Sequence, residues 1–160
     1  MDFSSLSNIL AGQWGYLGIF AATLISSSTI VLPLPGAVIV FLYGSILNPL
    51  LVGLFAALGS SLGELTGYLA GYGGHYIIKK KDKKLANRIN SVLRKHNPFF
   101  MIILFASLPF IFDLVGIICG LSKYDLKKFY VATLIGNFIK MTTISIAGFY
   151  GLSWVLNIFK

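Results

Sequence analysis

Three charged residues, Glu64, Asp113 and Lys140, stand inside strongly apolar stretches of the chain. A charge at the middle of a membrane-spanning helix costs about 2.5–3.5 kcal/mol, so each should face protein or water and have a partner. A carboxylate can carry a proton, and a lysine ammonium can hold an anionic group as a point charge. We therefore predict that the three residues line one polar pathway for a substrate or a proton.

Each of these residues also has a purely structural interpretation. Glu64 and Lys140 can pair as a salt bridge. Asp113 can cap the N-terminus of a half-helix, where its charge meets the helix dipole. His75 and His96 have no partner at metal-ligand spacing, so we predict no metal site and no cofactor.

Composition indicates the class of protein that must position these charges. The 160 residues are 56% hydrophobic and only 11% charged, whereas soluble domains carry about 25% charged residues. We predict an all-α integral membrane protein with one membrane domain over residues 1–160. The net charge of +8 does not indicate nucleic acid, because most basic residues fall in one loop next to membrane segments. Cys119 is the only cysteine. We expect no cleavable signal peptide, because the N-terminus lacks a basic region.

The apolar stretch Pro98 to Leu121 carries Pro109 and Asp113 near its middle and has basic residues on both flanks. Positive charge beside a membrane segment marks the cytoplasmic face. We therefore predict a re-entrant hairpin that enters and leaves on that face, with Pro109 near its tip. Each half of about 11 residues reaches roughly half of the hydrocarbon core. The alternative is one kinked spanning helix.

A second break stands at Pro33, Pro35 and Gly36. Two missing N–H donors and two ring clashes end a helix, and in lipid the freed carbonyls need protein or water partners. Leu32 to Leu47 is thus a second candidate hairpin. Because no Lys or Arg flanks it, we expect it on the non-cytoplasmic face.

Long apolar spans follow each hairpin, from Leu50 to Ile78 and from Phe129 to Tyr150. In the first span, glycines at every fourth position form one stripe that allows close helix packing: Gly59, Gly63, Gly67 and Gly71. The stripe also allows a homodimer. Between the spans, residues 79–97 form a basic, amphipathic, cytoplasmic segment that we expect to lie on the inner surface of the cell membrane. The basic residues expected to face anionic lipid headgroups are Lys79, Lys80, Lys81, Arg88, Arg94, Lys123, Lys127 and Lys128.

The two halves of the chain share an offset of 76 residues. Pro33 precedes Glu64 by 31 residues, and Pro109 precedes Lys140 by the same 31. Both halves read as a proline-broken hairpin followed by a long helix with one internal charge. With hairpins that enter from opposite faces, repeat one (about 14–78) and repeat two (98–150) form an inverted repeat, a common plan of secondary transporters.

The ordered set of motifs resembles the DedA family, also called SNARE-associated or VTT-domain proteins. The first half matches through Pro33-Leu-Pro-Gly36 and Gly59-Ser-Ser-Leu-Gly63-Glu64-x-x-Gly67-Tyr68-x-x-Gly71. The second matches through Leu108-Pro109-Phe110, Gly120-Leu-Ser-Lys-Tyr124-x-x-x-Lys128-Phe129 and Gly136-Asn-x-x-Lys140. The resemblance covers roughly Ser26 to Lys140.

The resemblance implies two opposed re-entrant hairpins braced by long helices, and movement of lipids between leaflets, as in scramblases and in flippases for polyprenyl phosphate or aminophospholipid. Some members are linked to the proton-motive force. The chain departs from many bacterial members at three positions. Ala37 replaces an acidic residue, while Ala106 and Phe112 replace arginines, so the chain looks like a divergent or archaeal-type branch. Without the arginines, Lys140 would hold a phosphate only as a point charge.

Other function classes are weighed against lipid transport. An enzyme is not expected, because no nucleophile–base pair, glycine-rich phosphate loop or metal motif appears. An ion-coupled exporter of small solutes or cations can use the same Glu64 and Asp113. A membrane assembly factor would transport nothing. Membrane lipids, and protons where a gradient drives transport, are the expected partners.

Overall fold

A computed structural model describes the backbone of residues 13–28, 36–81, 97–108 and 112–158, and the side chains of 15–28, 36–75, 97–108 and 115–151. These residues form helices and turns, with no strand among them. The all-helical part of the prediction is therefore confirmed. The helices, in chain order, are α1 (Gln13–Ser28), α2 (Gly36–Gly44), α3 (Pro49–Lys81), α4 (Pro98–Ser107), α5 (Phe112–Leu121) and α6 (Leu126–Ile158).

Two of these helices are long and apolar enough to cross a membrane, judged by length and composition. They contain the apolar stretches Pro49–His75 and Leu126–Gly151, of 27 and 26 residues. At 1.5 Å per residue each stretch is roughly 40 Å long, which exceeds a hydrocarbon core of about 30 Å. This architecture is compatible with a membrane protein.

The long helices begin where side chains can cap their free N–H groups. At the start of α3, Oδ1 of Asn48 accepts hydrogen bonds from the backbone N–H of Leu50 at 3.0 Å and of Leu51 at 3.4 Å. At the start of α6, Oδ1 of Asp125 accepts one from Lys128 at 2.9 Å. Such caps replace the intrahelical acceptors that the first turn lacks.

The helices α3 and α6 cross in antiparallel directions, as three successive contacts show. Gly53 lies against Thr142. About two turns further along α3, Ser61 accepts a hydrogen bond from Asn137. Beyond that, the Tyr68 ring packs on Phe129 with centroids 5.1 Å apart. As the residue number rises on α3, that of its neighbour on α6 falls. The start of α6 therefore lies beside the C-terminal part of α3.

The predicted proline breaks fall between helices. α1 ends at Ser28 and α2 begins at Gly36, while α4 ends at Ser107 and α5 begins at Phe112. Pro33, Pro35 and Pro109 themselves lie outside the described residues. The short helices α2, α4 and α5 have 9, 10 and 10 residues, and each reaches roughly 15 Å, about half of a hydrocarbon core.

The short helices pack in a crossed pattern. In each half, the helix before the proline break is called the first arm (α1 or α4) and the helix after it the second arm (α2 or α5). The first arms contact the long helix of their own half, since α1 lies on α3 and α4 lies on α6. The second arms contact the long helix of the other half, since α2 packs mainly on α6 and α5 packs on α3. The two halves are therefore interlocked into one helical unit.

Glycines make this crossed packing close enough for backbones to touch. A Cβ added at Gly120 would overlap the carbonyl oxygen of Tyr68, and one added at Gly71 would overlap that of Ile117. These contacts hold α5 directly on α3. Without a hydrophobic drive between helices in lipid, such contact is a main source of helix association.

Apolar side chains form two buried clusters, one toward each end of the α3–α6 crossing. The first contains Tyr68, Ile102, Ala106, Cys119, Phe129 and Ala132, and the second contains Ile19, Val40, Leu47, Val52, Ala56 and Met141. Between them lie the buried polar residues Ser60, Ser61 and Glu64 of α3 and Asn137 of α6. We call these four residues the polar layer.

The turn between α5 and α6, residues 122–125, is held on α3 by side chains. The Tyr68 hydroxyl donates to the carbonyl of Tyr124, and His75 Nδ1 donates to that of Leu121. The Lys123 ammonium lies 5.4 Å from the centre of the Tyr72 ring, and Lys123 has a φ of 56°. A non-glycine residue with positive φ is uncommon and persists where its surroundings determine it. We name residues 122–125 the basic corner, since Lys127 and Lys128 follow directly.

Candidate functional site

Glu64 is the centre of the polar layer. Its side chain is only 7% exposed, and its Oε2 accepts a hydrogen bond of 2.8 Å from Nδ2 of Asn137. The same Nδ2 donates to Oγ of Ser61 at 3.2 Å. Hydrogen bonds to a charged group stabilise it by about 1.5–3 kcal/mol, which offsets part of the cost of burying a carboxylate.

The orientation of the Asn137 side-chain amide is defined by the two oxygen atoms that accept hydrogen bonds from it. Nδ2 faces Glu64 and Ser61, so Oδ1 points the other way. Within the described part of the chain, Oδ1 is buried and accepts no hydrogen bond. An ionised Glu64 can only accept hydrogen bonds, which is why the amide NH₂ is turned toward it.

A cavity of about 160 Å³ lies beside the polar layer, between α1, α2, α3 and α6. Its polar character comes from hydroxyl groups and one ammonium, and none of the lining residues that the structure describes carries a carboxylate. The lining consists of Thr23, Ser26, Ser27, Gly36, Ala37, Ser60, Lys140, Met141 and Ile144. The volume accommodates several water molecules or a small polar group.

The cavity and the polar layer share one wall. Ser60 lines the cavity, while the next residue, Ser61, accepts the hydrogen bond from Asn137. On α6, Lys140 lies three residues after Asn137, so the two side chains lie on the same face of the helix, about one turn apart. A carboxylate, an amide, hydroxyls and an ammonium are therefore gathered at one level of the helical unit.

Two of the three predicted pathway residues lie in this region. Glu64 is in the polar layer and Lys140 lines the cavity. The salt bridge between them stays a prediction. Asp113 belongs to the first turn of α5, but its side chain lies outside the described residues.

Only some of the predicted basic residues have side chains in the part of the chain that the structure describes. Lys123 is exposed in the basic corner, and Lys127 and Lys128 are exposed in the first turn of α6. Lys79, Lys80 and Lys81 form the last residues of α3, with side chains outside the described part, and Arg88 and Arg94 lie wholly outside it. His75 places the corner near this end of α3, so the two lysine clusters occur at the same end of the long helices.

The glycine stripe of α3 contacts two different helices. A Cβ added at Gly59 would overlap the carbonyl of Phe20 on α1, and one at Gly63 would come within 2.6 Å of that of Leu24. Gly71 faces α5, and Gly67 is buried on the same side, near Gly116. The whole stripe is thus occupied by contacts within the chain.

Two of the three positions that depart from many bacterial DedA proteins have described surroundings. Ala37 is exposed in the cavity wall. Ala106 is fully buried, and a Cβ added at Gly136 would overlap its side chain. A longer side chain at 106 would require α4 and α6 to separate. The side chain of Phe112 lies outside the described residues.

Asn137, Ser60 and Ser61 are the site residues that the sequence analysis missed. Amides and hydroxyls are common in apolar helices, so their types alone gave no signal. The offset of 76 residues did contain a signal for this pair, because Asn137 stands 76 residues after Ser61. Two positions that meet at the centre of the α3–α6 crossing are equivalent under the offset that relates the proline breaks.

Comparison with known proteins agrees with the motifs. The sequence model described as the VTT domain matches residues 34–150. The chain is 43% identical over 65 residues to the vacuole membrane protein KMS2 of Arabidopsis thaliana, which covers 38% of this chain and 16% of that protein. The chain thus matches only a small part of that relative's length. No solved structure matches. With the family model covering most of the chain, this protein belongs to the VTT domain (DedA) family of membrane proteins.

Proposed function

We propose that this protein moves lipids between the leaflets of a membrane, as a scramblase or as a proton-coupled flippase. The headgroup passes through the cavity at Lys140 while the acyl chains stay in the bilayer. The observation that carries the proposal is the position of this cavity, which lies at the crossing of four helices and directly beside the buried polar layer.

The energetic argument is that polar groups are costly at this depth. Glu64 and Lys140 both lie near the middle of the two long apolar stretches, where an ionisable side chain normally marks a substrate or ion pathway. The outer faces are apolar, with exposed residues such as Leu69, Phe100 and Leu104. A lipid straddling this boundary keeps its tails against an apolar face and its headgroup against hydroxyls.

We also propose that the two halves form an inverted repeat of re-entrant hairpins. Shifting α2 (Gly36–Gly44) by 76 residues gives 112–120, and α5 is Phe112–Leu121. Shifting α3 by the same number gives 125–157, and α6 is Leu126–Ile158. The antiparallel α3 and α6 and the exchange of second arms between halves support this arrangement, in which the site lies where the broken elements meet.

The proposed topology follows from charge. The basic corner and the last residues of α3 lie at one end of the long helices, and positive charge is retained on the cytoplasmic side. We place this end, with the segment 79–97, at the cytoplasmic face of the cell membrane, where anionic headgroups attract it. The turn between α2 and α3 then faces the other side.

Glu64 is our proposed proton carrier, with Asp113 as a second carboxylate on the pathway. Asn137 can serve either protonation state of Glu64 by rotating its side-chain amide, because its NH₂ donates to a carboxylate and, once the amide has turned over, its carbonyl accepts from a carboxylic acid. An amide that adapts in this way lowers the cost of moving a proton through the layer. Transport, not catalysis, is the proposed activity.

The test is a leaflet assay in sealed proteoliposomes that contain trace fluorescent phospholipid in both leaflets. A membrane-impermeant reductant bleaches the outer leaflet, so vesicles without protein should lose about half of their signal, and those with active protein nearly all of it. The assay is run with several headgroups and with or without a proton gradient. Matched vesicles with heat-denatured protein control for leakage.

Two results would contradict lipid movement. Gradient-dependent uptake of a soluble ion or solute, with bleaching that stops at half, would favour the ion-coupled exporter. Neither lipid bleaching nor solute uptake, in vesicles whose protein is folded, would favour the assembly factor.

A further inference from the structure

We infer that the cavity is a water site, and that the Ser60 hydroxyl holds one of its water molecules against the Glu64 carboxylate, so that protons pass between the two. Because Glu64 is our proposed proton carrier, this role of Ser60 rests on the proposed function and names the route by which the carrier gains and loses its proton. The ligand is water, or hydronium while a proton is delivered.

The first observation is a buried hydroxyl beside the cavity. Ser60 is fully buried and lines the cavity, and its Oγ has no hydrogen-bond partner within the described part of the chain. A buried hydroxyl without a partner is costly, and native proteins satisfy such groups with protein atoms or with ordered water. Water in the cavity is the partner that this position allows.

The second observation is that the Glu64 side chain reaches back toward Ser60. Helical side chains lean toward the N-terminus of their helix, over the residues three and four positions before them, which for Glu64 are Ser61 and Ser60. The reach to this turn is seen in the contacts of Asn137, whose Nδ2 bonds both Glu64 Oε2 at 2.8 Å and Ser61 Oγ at 3.2 Å. The Cβ atoms of residues four apart are separated by about 5–6 Å, which one bridging water spans.

The cavity has the room and the partners that water needs. Its volume is about 160 Å³, whereas a water molecule takes up roughly 30 Å³ in the liquid and needs two to four polar partners when buried. Thr23 Oγ1 donates to the carbonyl of Ile19 at 2.8 Å, so its lone pairs remain to accept from water. Further polar groups of the lining belong to Ser26, Ser27 and Lys140.

Two other buried hydroxyls show what distinguishes Ser60. Oγ1 of Thr142 and Oγ of Ser145 also have no hydrogen-bond partner in the described part of the chain. Both lie against glycines, since a Cβ added at Gly53 would overlap the first and one added at Gly44 would overlap the second. On the glycine side there is no room for water, and neither residue is among the lining residues that the structure describes. Ser60 therefore differs from them in its access to the cavity.

The water site does not depend on how the charged groups around the polar layer are paired. A carboxylate has several acceptor positions and an ammonium has three donors, so each can bind water while it keeps another partner. This applies to Glu64, to Lys140 and to Asp113 in the first turn of α5. Other titratable side chains of the surrounding helices lie in the two apolar clusters or pack against them: Tyr16, Tyr43, Tyr68, Cys119 and Tyr124.

The proton step is a transfer between water and a carboxylate. A hydronium held at Ser60 Oγ gives one proton to an ionised Glu64, which leaves neutral water and a carboxylic acid. Release is the reverse, with the proton returned to the same water. Ser60 keeps its own proton throughout and is a positioning residue.

The first test asks whether the cavity holds water. Purified protein in neutral detergent is exposed to hydroxyl radicals made by X-ray radiolysis of water, which oxidise side chains next to bound water, and oxidation is measured by mass spectrometry. Met141 lines the cavity at 7% exposure, whereas Cys119, at 1% exposure, lies in the first apolar cluster. We expect Met141 to be oxidised at least about tenfold faster, because oxidation follows access of the oxidant. Equal rates, or faster oxidation of Cys119, would overturn the water site.

The second test follows the proton. Rapid-mixing infrared spectra, recorded on transfer from H₂O to D₂O, give the exchange rate of the protonated Glu64 carboxyl, whose band is identified by its loss in Glu64→Gln. Ser60→Ala should slow this exchange by about three- to tenfold, the effect of one lost hydrogen bond. Ser60→Thr, which keeps a hydroxyl, should restore the rate. The matched control is Ser145→Ala, which should exchange like the native protein.

Several outcomes of the second test would overturn the role of Ser60. They are equal slowing by Ser60→Ala and Ser145→Ala, a native rate in Ser60→Ala with native Tm, or no Glu64 band at any pH at which the protein stays folded. The leaflet assay keeps this role apart from lipid movement. A dry cavity in protein that bleaches lipid would overturn only the water site. Exchange that depends on Ser60, in protein that bleaches no lipid, would contradict only lipid movement.

Discussion

Asn137 donates a hydrogen bond of 3.2 Å to Ser61, the residue 76 positions before it in the chain. The same offset relates α2 to α5 and α3 to α6 to within one residue. In the inverted repeat that we propose, equivalent residues touch only close to the axis that relates the two halves, as at a twofold interface. Glu64 accepts a hydrogen bond from the same amide group, so the buried carboxylate lies beside the contact between Ser61 and Asn137.

Asn137→Ala should destabilise the protein by about 1–3 kcal/mol, because Glu64 would lose a buried donor. The check is thermal unfolding in detergent for Asn137→Ala, Glu64→Ala and the double variant. We expect the double variant to lose less than the sum of the two single variants, since both remove the same contact. Strict additivity would mean that the amide does not stabilise the carboxylate.

Glu64→Gln should keep the fold but remove any dependence of lipid movement on a proton gradient. The amide oxygen of glutamine can still accept from Asn137 Nδ2, whereas the side chain can no longer exchange a proton. The measurement is the leaflet assay with and without a gradient, beside the Tm of the variant. A gradient dependence equal to that of the native protein would exclude Glu64 as the carrier.

Gly71→Ala should be strongly destabilising, whereas Gly73→Ala on the same helix should be neutral or stabilising. A Cβ at Gly71 would overlap the carbonyl of Ile117, but nothing lies within 4 Å of one at Gly73. Alanine favours a helix over glycine by about 1 kcal/mol, so only the clash separates the two variants. Tm values compare them directly, and similar values would argue against the α3–α5 contact.

Tyr68→Phe should loosen the basic corner without unfolding the core. The variant removes only the hydroxyl that donates to Tyr124, which is worth about 0.5–1.5 kcal/mol, and keeps the ring on Phe129. Amide hydrogen exchange should become faster in residues 122–125 and stay unchanged in the first turns of α3. Uniform acceleration over both regions would point instead to global destabilisation.

Cysteines at Lys127 and Ile46 should be accessible from opposite sides of the membrane. Lys127 follows the basic corner, while Ile46 is exposed in the turn before α3, and the antiparallel long helices place these two turns at opposite ends. In a Cys119→Ala background, an impermeant maleimide added to intact cells should label Ile46→Cys, and Lys127→Cys only after permeabilisation. Labelling of both in intact cells would contradict the proposed topology.

The sequence alone was enough to predict the elements that depend on local chemistry. Pro33 and Pro109 lack an N–H and clash with the preceding turn, so the helices end before them whatever surrounds them. The apolar runs of α3 and α6 are long enough to cross a membrane by composition and rise per residue. Glu64 stood out because a charge in such a run is costly.

The tertiary structure decided which distant groups meet. Nothing local distinguishes Asn137 from other polar residues in apolar helices, yet it lies 73 positions from Glu64 and donates to it. His75, which has no partner nearby in the sequence, donates to the carbonyl of Leu121. The cavity at Lys140 needs walls from α1, α2, α3 and α6 at once. Such contacts depend on the register at which helices cross, and that register is set by close backbone approach at glycines such as Gly71 and Gly120, a property of paired surfaces that no single segment contains.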